Sequence, residues 1–145
     1  MRFLGIDYGT RRIGLAAGDE LGIATPLPAL VEPELGARRR ALATLVKLRR
    51  IDEIVLGYPL NMDGSAGFKA KEMEVLAEEL RAEFGFPVHL LDERLTSRIA
   101  ETGMNQKQLR EIRAKGIIDS RAAAVILQDY LDQRFPPNLA AAAEY

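Results

Sequence analysis

Cysteine is absent from this chain, and histidine occurs once, at His89. No disulfide scaffold, thiol nucleophile or cysteine-ligated zinc can be built from such a sequence, and a histidine-rich metal site is excluded with them. The lack of cysteine also agrees with a reducing, cytoplasmic setting. No apolar run approaches the roughly 18–20 residues that cross a bilayer, so no membrane partner is expected. The N-terminus reaches an acid at Asp7 before an apolar signal core can form, and does not read as a secretory signal. Neither sign of charge dominates. A net charge of -1 and a pI of about 5.9 lack the basic surplus of a protein that grips nucleic acid by charge alone.

What is present is an ordinary globular composition, 48% hydrophobic and 28% charged over 145 residues. That length suits one domain, expected over residues 1–135, with 136–145 as a flexible tail. Charge is unevenly spread. Between residues 94 and 121, seven basic side chains stand against three acids. A second basic cluster comprises Arg38, Arg39, Arg40, Lys47, Arg49 and Arg50, and is expected to be solvated helix surface.

Hydrophobic patterning predicts strands over 2–8 and 12–18, joined by a turn at Gly9 and Thr10 into an antiparallel hairpin. A third strand is expected within 22–31, pushed to a sheet edge or broken by Pro26 and Pro28. Ala41, Leu42, Leu45 and Val46 recur at helical spacing, predicting a helix over 35–50. The run at 54–56 suits a buried strand, and 60–67 a loop. Met73, Leu76, Leu80 and Phe84 predict a helix from about 68 to 84, closed by Gly85. Another buried strand is expected at 88–91 and a short helix at 96–102. A polar, basic stretch follows at 104–116, then a last helix at 118–134 stopped by Pro136 and Pro137. The order β-β-β-α-β-α-β-α predicts an α/β fold, a five-stranded mixed sheet flanked by helices.

Ligands of such sheets gather beyond the carboxyl ends of strands. Asp7 ends the first strand, Asp92 and Glu93 end the strand at 88–91, and Asp119 is expected in the first turn of the last helix. Singly, each acid has an ordinary structural reading, as a turn residue, a surface ion pair or a helix cap. Together at one sheet edge they would form a hard-oxygen site suited to Mg²⁺ or Mn²⁺. Two such ions can clamp a scissile phosphate between them. Asp92 and Glu93 are adjacent and point to opposite faces of a strand, so only one readily joins the cluster, and spacing alone does not say which. Arg94, Lys115 and Arg121 flank the acids and could hold phosphate oxygens. His89 reads as a strand residue satisfied by its neighbours.

Four segments carry a resemblance. Gly5-Ile6-Asp7-Tyr8-Gly9-Thr10-Arg11-Arg12-Ile13-Gly14 resembles the opening motif of the YqgF family, also called RuvX. Gly57-Tyr58-Pro59-Leu60-Asn61-Met62-Asp63-Gly64-Ser65 resembles its second motif, Asp92-Glu93-Arg94-Leu95-Thr96-Ser97 its third, and Lys115-Gly116-Ile117-Ile118-Asp119-Ser120-Arg121 its fourth. The resemblance implies an RNase H-like fold and a nuclease using Mg²⁺ or Mn²⁺, with two ions expected. It implies Asp7, Glu93 and Asp119 as the catalytic, metal-binding acids, and so favours Glu93 over Asp92. Arg11 and Asn61, within the first two motifs, join Arg94, Lys115 and Arg121 as expected substrate-binding residues. The implied partner is structured RNA, through 5′-end maturation of precursor 16S ribosomal RNA, with the assembling ribosomal subunit as a further partner. Gly18 departs from the serine found in many members.

Other readings compete. The same chemistry on four-way DNA junctions would make the chain a recombination enzyme, and symmetric cutting of a junction calls for a two-fold dimer. Monomer and homodimer both remain open on sequence. A binding module without catalysis would keep the acids and lose the turnover. The opening motif also resembles the first phosphate loop of actin-like ATPases and sugar kinases, but those need two lobes and this chain supplies one.

Overall fold

The computed structural model describes residues 1–93 and 120–136. The expected helix at 96–102, the basic stretch at 104–116 and the tail from 137 onward lie outside the described residues.

Strand β1 (Arg2–Tyr8) and strand β2 (Arg12–Asp19) form the expected antiparallel hairpin, with Asp7 opposite Gly14. The turn closes through Gly9, whose N–H donates to the Arg12 carbonyl at 3.0 Å. Strand β3 (Thr25–Val31) is shorter than the expected 22–31 and lies at the sheet edge, as its prolines require. Between the pairs Ile13–Leu30 and Leu15–Leu27 the register shifts, leaving Pro28 and Ala29 opposite Gly14 alone. Strands β4 (Glu53–Tyr58) and β5 (Val88–Asp92) add in parallel, giving the order β3-β2-β1-β4-β5.

Helix α1 (Leu35–Leu48) stops two residues before the sequence pattern suggests. Arg50 takes φ 53, and the N–H groups of Arg50 and Ile51 fold back to the carbonyls of Lys47 and Val46. That is a Schellman closure with arginine in the left-handed position glycine usually holds, and buried Ile51 is its apolar anchor. Helix α2 (Phe68–Phe84) ends as expected at Gly85, φ 71. Helix α3 (Arg121–Arg134) has Ser120 at its N-cap.

The helices divide between the two faces of the sheet. Leu42 and Val46 of α1 and Met73, Leu76, Ala77 and Leu80 of α2 share a core with Leu4, Ile6, Ile54, Leu56 and Val88. On the other face Ala123, Ile126, Leu127 and Leu131 of α3 cover Phe3, Ala16 and Val55. Alternation along β1 therefore assigns Phe3, Gly5 and Asp7 to the α3 face, and Leu4, Ile6 and Tyr8 to the other.

Helix α3 lies close to the sheet where glycines leave no side chain beneath it. A methyl at Gly5 would stand 2.7 Å from Leu127 Cβ and 2.9 Å from the Ala123 carbonyl. One at Gly18 would stand 2.8 Å from Leu131 Cδ1, which explains the glycine at that position. The Ser120 hydroxyl accepts a buried hydrogen bond of 3.0 Å from the Leu15 N–H, pinning the start of α3 to β2. Gly5→Val should therefore destabilise the fold by about 1–3 kcal/mol through overpacking, measured by urea unfolding. A change below about 0.5 kcal/mol, the ordinary scatter of surface substitutions, would contradict this seating of the helix.

Candidate active site

Parallel pairing sets Ile6 beside Leu56 and Gly57 beside Leu91, so the ends of β1, β4 and β5 reach one sheet edge together. Helix α3 runs against these strands, packing Ala123 near Gly5 and Arg134 near Glu53, so its first residue, Arg121, belongs to the same edge. The edge thus gathers Asp7, Glu93 and the start of α3. The expected third acid, Asp119, precedes Ser120 in sequence and lies outside the described residues, as do Arg94 and Lys115.

Strand parity distinguishes the two adjacent acids. His89 and Leu91 face α3, and Glu93 continues that alternation onto the face that holds Asp7. Asp92 falls on the opposite side and is exposed. The Glu93 N–H donates to the Tyr58 carbonyl at 3.2 Å, extending the ladder past the end of β5. Its carboxylate lies over Gly57, where any Cβ would collide with Glu93 Oε2 and would stand 2.8 Å from Ile126 Cδ1. Glycine at 57 is what makes room for the acid.

Burial raises the Asp7 carboxyl above its ordinary range, and nearby Lys69 opposes the shift. Glu93 is pushed up to about 7, by burial first, then by the charge of Asp7, with Lys69 opposing and Asp92 adding to the shift. Lys69, which sequence reading does not single out, is close enough to both acids for its charge to act on them. It lies in the first turn of α2, with its Nζ 5.6 Å from the Tyr8 ring centroid and 3.7 Å from Glu72. No spacing or motif distinguishes it from other helix lysines.

The other expected contacts are placed as follows. Arg11 is exposed in the β1–β2 turn. Asn61 organises its own loop: its side-chain amide donates to Ser65 Oγ at 3.0 Å, and its N–H donates to the Ser65 carbonyl at 2.9 Å. A cleft of about 480 Å³, lined by Arg2, Phe3, Gly18, Asp19 and Arg49, opens at the opposite end of the strands, away from the acids.

Arg38 overturns the expectation that the basic cluster on α1 is solvated. It is 1% exposed. Its guanidinium donates to the carbonyls of Glu32, Gly9 and Thr10, and lies 5.1 Å from the Tyr8 ring centroid. It thereby fixes the turn that follows Asp7. Arg39 stays at the surface, as expected, and pairs there with Glu79 and Glu83 of α2.

Among the described residues, no group of three or more His, Asp or Glu side chains is close enough to hold a metal ion. Asp7 and Glu93 supply two neighbouring hard-oxygen donors, a partial set whose chemistry fits a divalent cation. No helix among the described residues is long and apolar enough to cross a membrane.

The fold is shared with solved structures of resolvases. Thermus thermophilus RuvC in complex with a Holliday junction superposes with a TM-score of 0.58 at 17% identity, over 94% of this chain and 96% of that one. The Fowlpox virus resolvase in complex with junction DNA gives 0.57 at 11% identity, over 92% and 99%. The architecture is thus RNase H-like, the class to which these resolvases belong. The profile of the RuvX family, described as Holliday junction resolvase, matches residues 1–133. The chain belongs to the RuvX family, a family of nucleases. A relative from Opitutus terrae is 61% identical over 145 residues, spanning 99% of this chain and all of its own. One from Moorella thermoacetica is 42% identical, spanning 92% and 96%. Both bear the name "Putative pre-16S rRNA nuclease".

Two predictions follow from this geometry. Arg38→Met keeps the alkyl volume but leaves three carbonyls without their donor. It should cost about 2–4 kcal/mol in urea unfolding, at roughly 1–3 kcal/mol per unsatisfied buried group with partial relaxation. Glu93 binds a proton in the folded chain between its ordinary 4.5 and about 7, where the unfolded chain has released it. Stability without divalent ion should therefore fall as pH rises through that window, and Glu93→Gln should flatten the slope between pH 5 and 8. An unchanged slope would mean that Glu93 is not the titrating group.

Proposed function

We propose that this chain is a metal-dependent endonuclease that hydrolyses phosphodiester bonds in the 5′-end maturation of precursor 16S ribosomal RNA, in the cytoplasm. One observation carries the reading: β1 and β5 deliver Asp7 and Glu93 to the same face beside Gly57, in a setting that opposes the ionisation of both. The names of the relatives supply the RNA substrate.

Asp7, Glu93 and Asp119 would hold Mg²⁺ or Mn²⁺, with two ions expected. When bound, the ions would activate water and stabilise the leaving oxygen of the phosphodiester. The residues do the rest. Because burial raises both carboxyls, a cation held by Asp7 and Glu93 would compete with their protons, and its binding would strengthen as pH rises toward 7. The Arg38 clamp holds the turn after Asp7, which limits how far that carboxylate can drift. Arg11, Arg94, Lys115 and Arg121 would position the phosphate backbone, and Asn61 would present its loop to the substrate.

The description of the family favours a second reading, with a four-way DNA junction as substrate and a two-fold dimer as the active form. One assay separates them. Purified protein meets labelled RNA spanning the precursor 5′ end, and a labelled four-way junction, each with Mg²⁺ or Mn²⁺. RNA cleavage is expected, and both EDTA and Asp7→Asn should reduce it by at least 10²-fold while the fold persists by circular dichroism. Cleavage of the junction alone would move the protein to recombination. Full activity in Asp7→Asn would overturn the metal-nuclease reading.

A further inference from the structure

We propose that Phe68 and Lys69 form a binding site for one unpaired nucleotide beside the carboxylates, with Phe68 stacking on the base and Lys69 holding a phosphate. The proposal rests on the nuclease reading for its substrate class, nucleic acid, and adds to it a preference for single-stranded sequence next to the cut.

Helix α2 buries a stripe formed by Ala70, Met73, Leu76, Ala77 and Leu80. Phe68 stands off that stripe and is 82% exposed, the only exposed aromatic side chain among the described residues. Phe84 and Phe86, by contrast, stack on each other at 5.4 Å and pack against the core. An isolated exposed apolar side chain is common on protein surfaces and needs no explanation by itself. The neighbourhood of Phe68 is what distinguishes it. The next residue, Lys69, lies over the Tyr8 ring and close enough to Asp7 and Glu93 for its charge to act on both. Its pairing with Glu72 at 3.7 Å is a half-exposed contact within one helix turn, too weak to withhold it from a phosphate.

An exposed aromatic ring and a cation are thus consecutive at the start of α2, and the charge of that cation reaches both acids. A nucleotide presents the matching series: a flat base, a phosphate, and the next phosphodiester. Aromatic stacking accepts any base but needs an open base face, which a paired base inside a helix does not offer. The pair of residues therefore selects unpaired strand.

The absence of tryptophan from the chain gives a direct test. Phe68→Trp introduces a single fluorophore at the proposed platform. Its emission should be quenched by a single-stranded RNA oligonucleotide and stay unchanged with a blunt duplex of the same sequence. In fluorescence anisotropy with labelled oligonucleotides, Phe68→Ala should weaken single-strand binding roughly tenfold while duplex binding changes less than twofold. Phe68→Trp should retain parental affinity. Lys69→Ala should weaken single-strand binding and reduce its dependence on salt by about one phosphate contact. Unfolding curves for Phe68→Ala should match the parent, as the side chain is exposed.

No quenching by single strand, or unchanged single-strand affinity in Phe68→Ala, would overturn the proposal. Equal losses for single strand and duplex would do so too, as would a Phe68 that responds only to a protein partner. These readouts are binding measurements, independent of cleavage. A protein that cuts nothing yet loses single-strand affinity in Phe68→Ala would sink the nuclease reading and keep this site. A protein that cuts RNA with unaltered affinity in Phe68→Ala would do the reverse.

Discussion

Helix α3 settles on the sheet at three glycines, between the side chains of Phe3, Ala16 and Val55. Gly5, Gly18 and Gly57 lie under Leu127, Leu131 and Ile126, and a Cβ at any of the three would stand inside normal contact distance of the helix. Close packing of this kind leaves little room for adjustment, because protein interiors do not relax to absorb an added methyl. The depth at which α3 settles fixes where its first residues meet the sheet. Gly57 has a second duty, since the space above it holds both Ile126 and the Glu93 carboxylate. The same missing side chain admits the helix and seats the acid. A substitution there would disturb core packing and site chemistry together, so the two properties cannot be tuned separately at that position.

The acids at this edge stand in a setting that resists their charge. Burial raises both, and their mutual repulsion raises Glu93 further. A purely structural edge would relieve such strain by turning one acid outward, as Asp92 does one residue earlier. Here parallel pairing and strand parity prevent that. The parity of β5 sends Glu93 to the α3 face, while the end of β1 holds Asp7 beside it. The turn after Asp7 is in turn fixed by Arg38, whose three carbonyl acceptors span two separate loops. An arrangement that pays in stability for keeping two carboxylates together is consistent with a site that draws positive charge between them.

Much of this was legible in the sequence, and the failures have physical reasons. The hairpin at Gly9, the edge position of the proline-bearing β3 and the end of α2 at Gly85 follow from local chemistry, and local chemistry decided them. His89 was expected to be satisfied by its neighbours, and it lies 3.3 Å from Glu53 and stacks on Tyr130. Arg38 was misread because charge outweighed position. It stands four and eight residues before Leu42 and Val46, in line with the buried stripe of α1. That spacing was visible, but an arginine with carbonyl acceptors from distant loops cannot be foreseen from its own helix. Spacing alone left Asp92 and Glu93 equal and the family resemblance favoured Glu93; the physical distinction between them is the parity of β5, which pairing with β4 establishes. Lys69 left no signal, because its nearness to the acids arises from how α2 crosses the sheet.

The two ends of β4 show how one strand supports opposite uses of a carboxylate. At its start, Glu53 is buried but stands against the Arg134 guanidinium and near His89, so its charge is matched by protein groups. Arg134 in turn lies over Phe3 and Phe135 and donates to the Tyr130 hydroxyl at 3.0 Å, tying the last turn of α3 into the sheet. Replacing one partner there would leave a buried charge uncompensated, which is the costly way to break such a pair. Beyond the other end of the strand, Glu93 shares its surroundings with a second acid, and Lys69 offsets only part of the strain. The first arrangement anchors the helix and the second exploits the anchoring. With its far end tied at Glu53 and its flank seated on glycine, α3 holds its first turn at the acidic edge. Much of the work of holding the helix thus falls to residues at the opposite end of the sheet from Asp7 and Glu93.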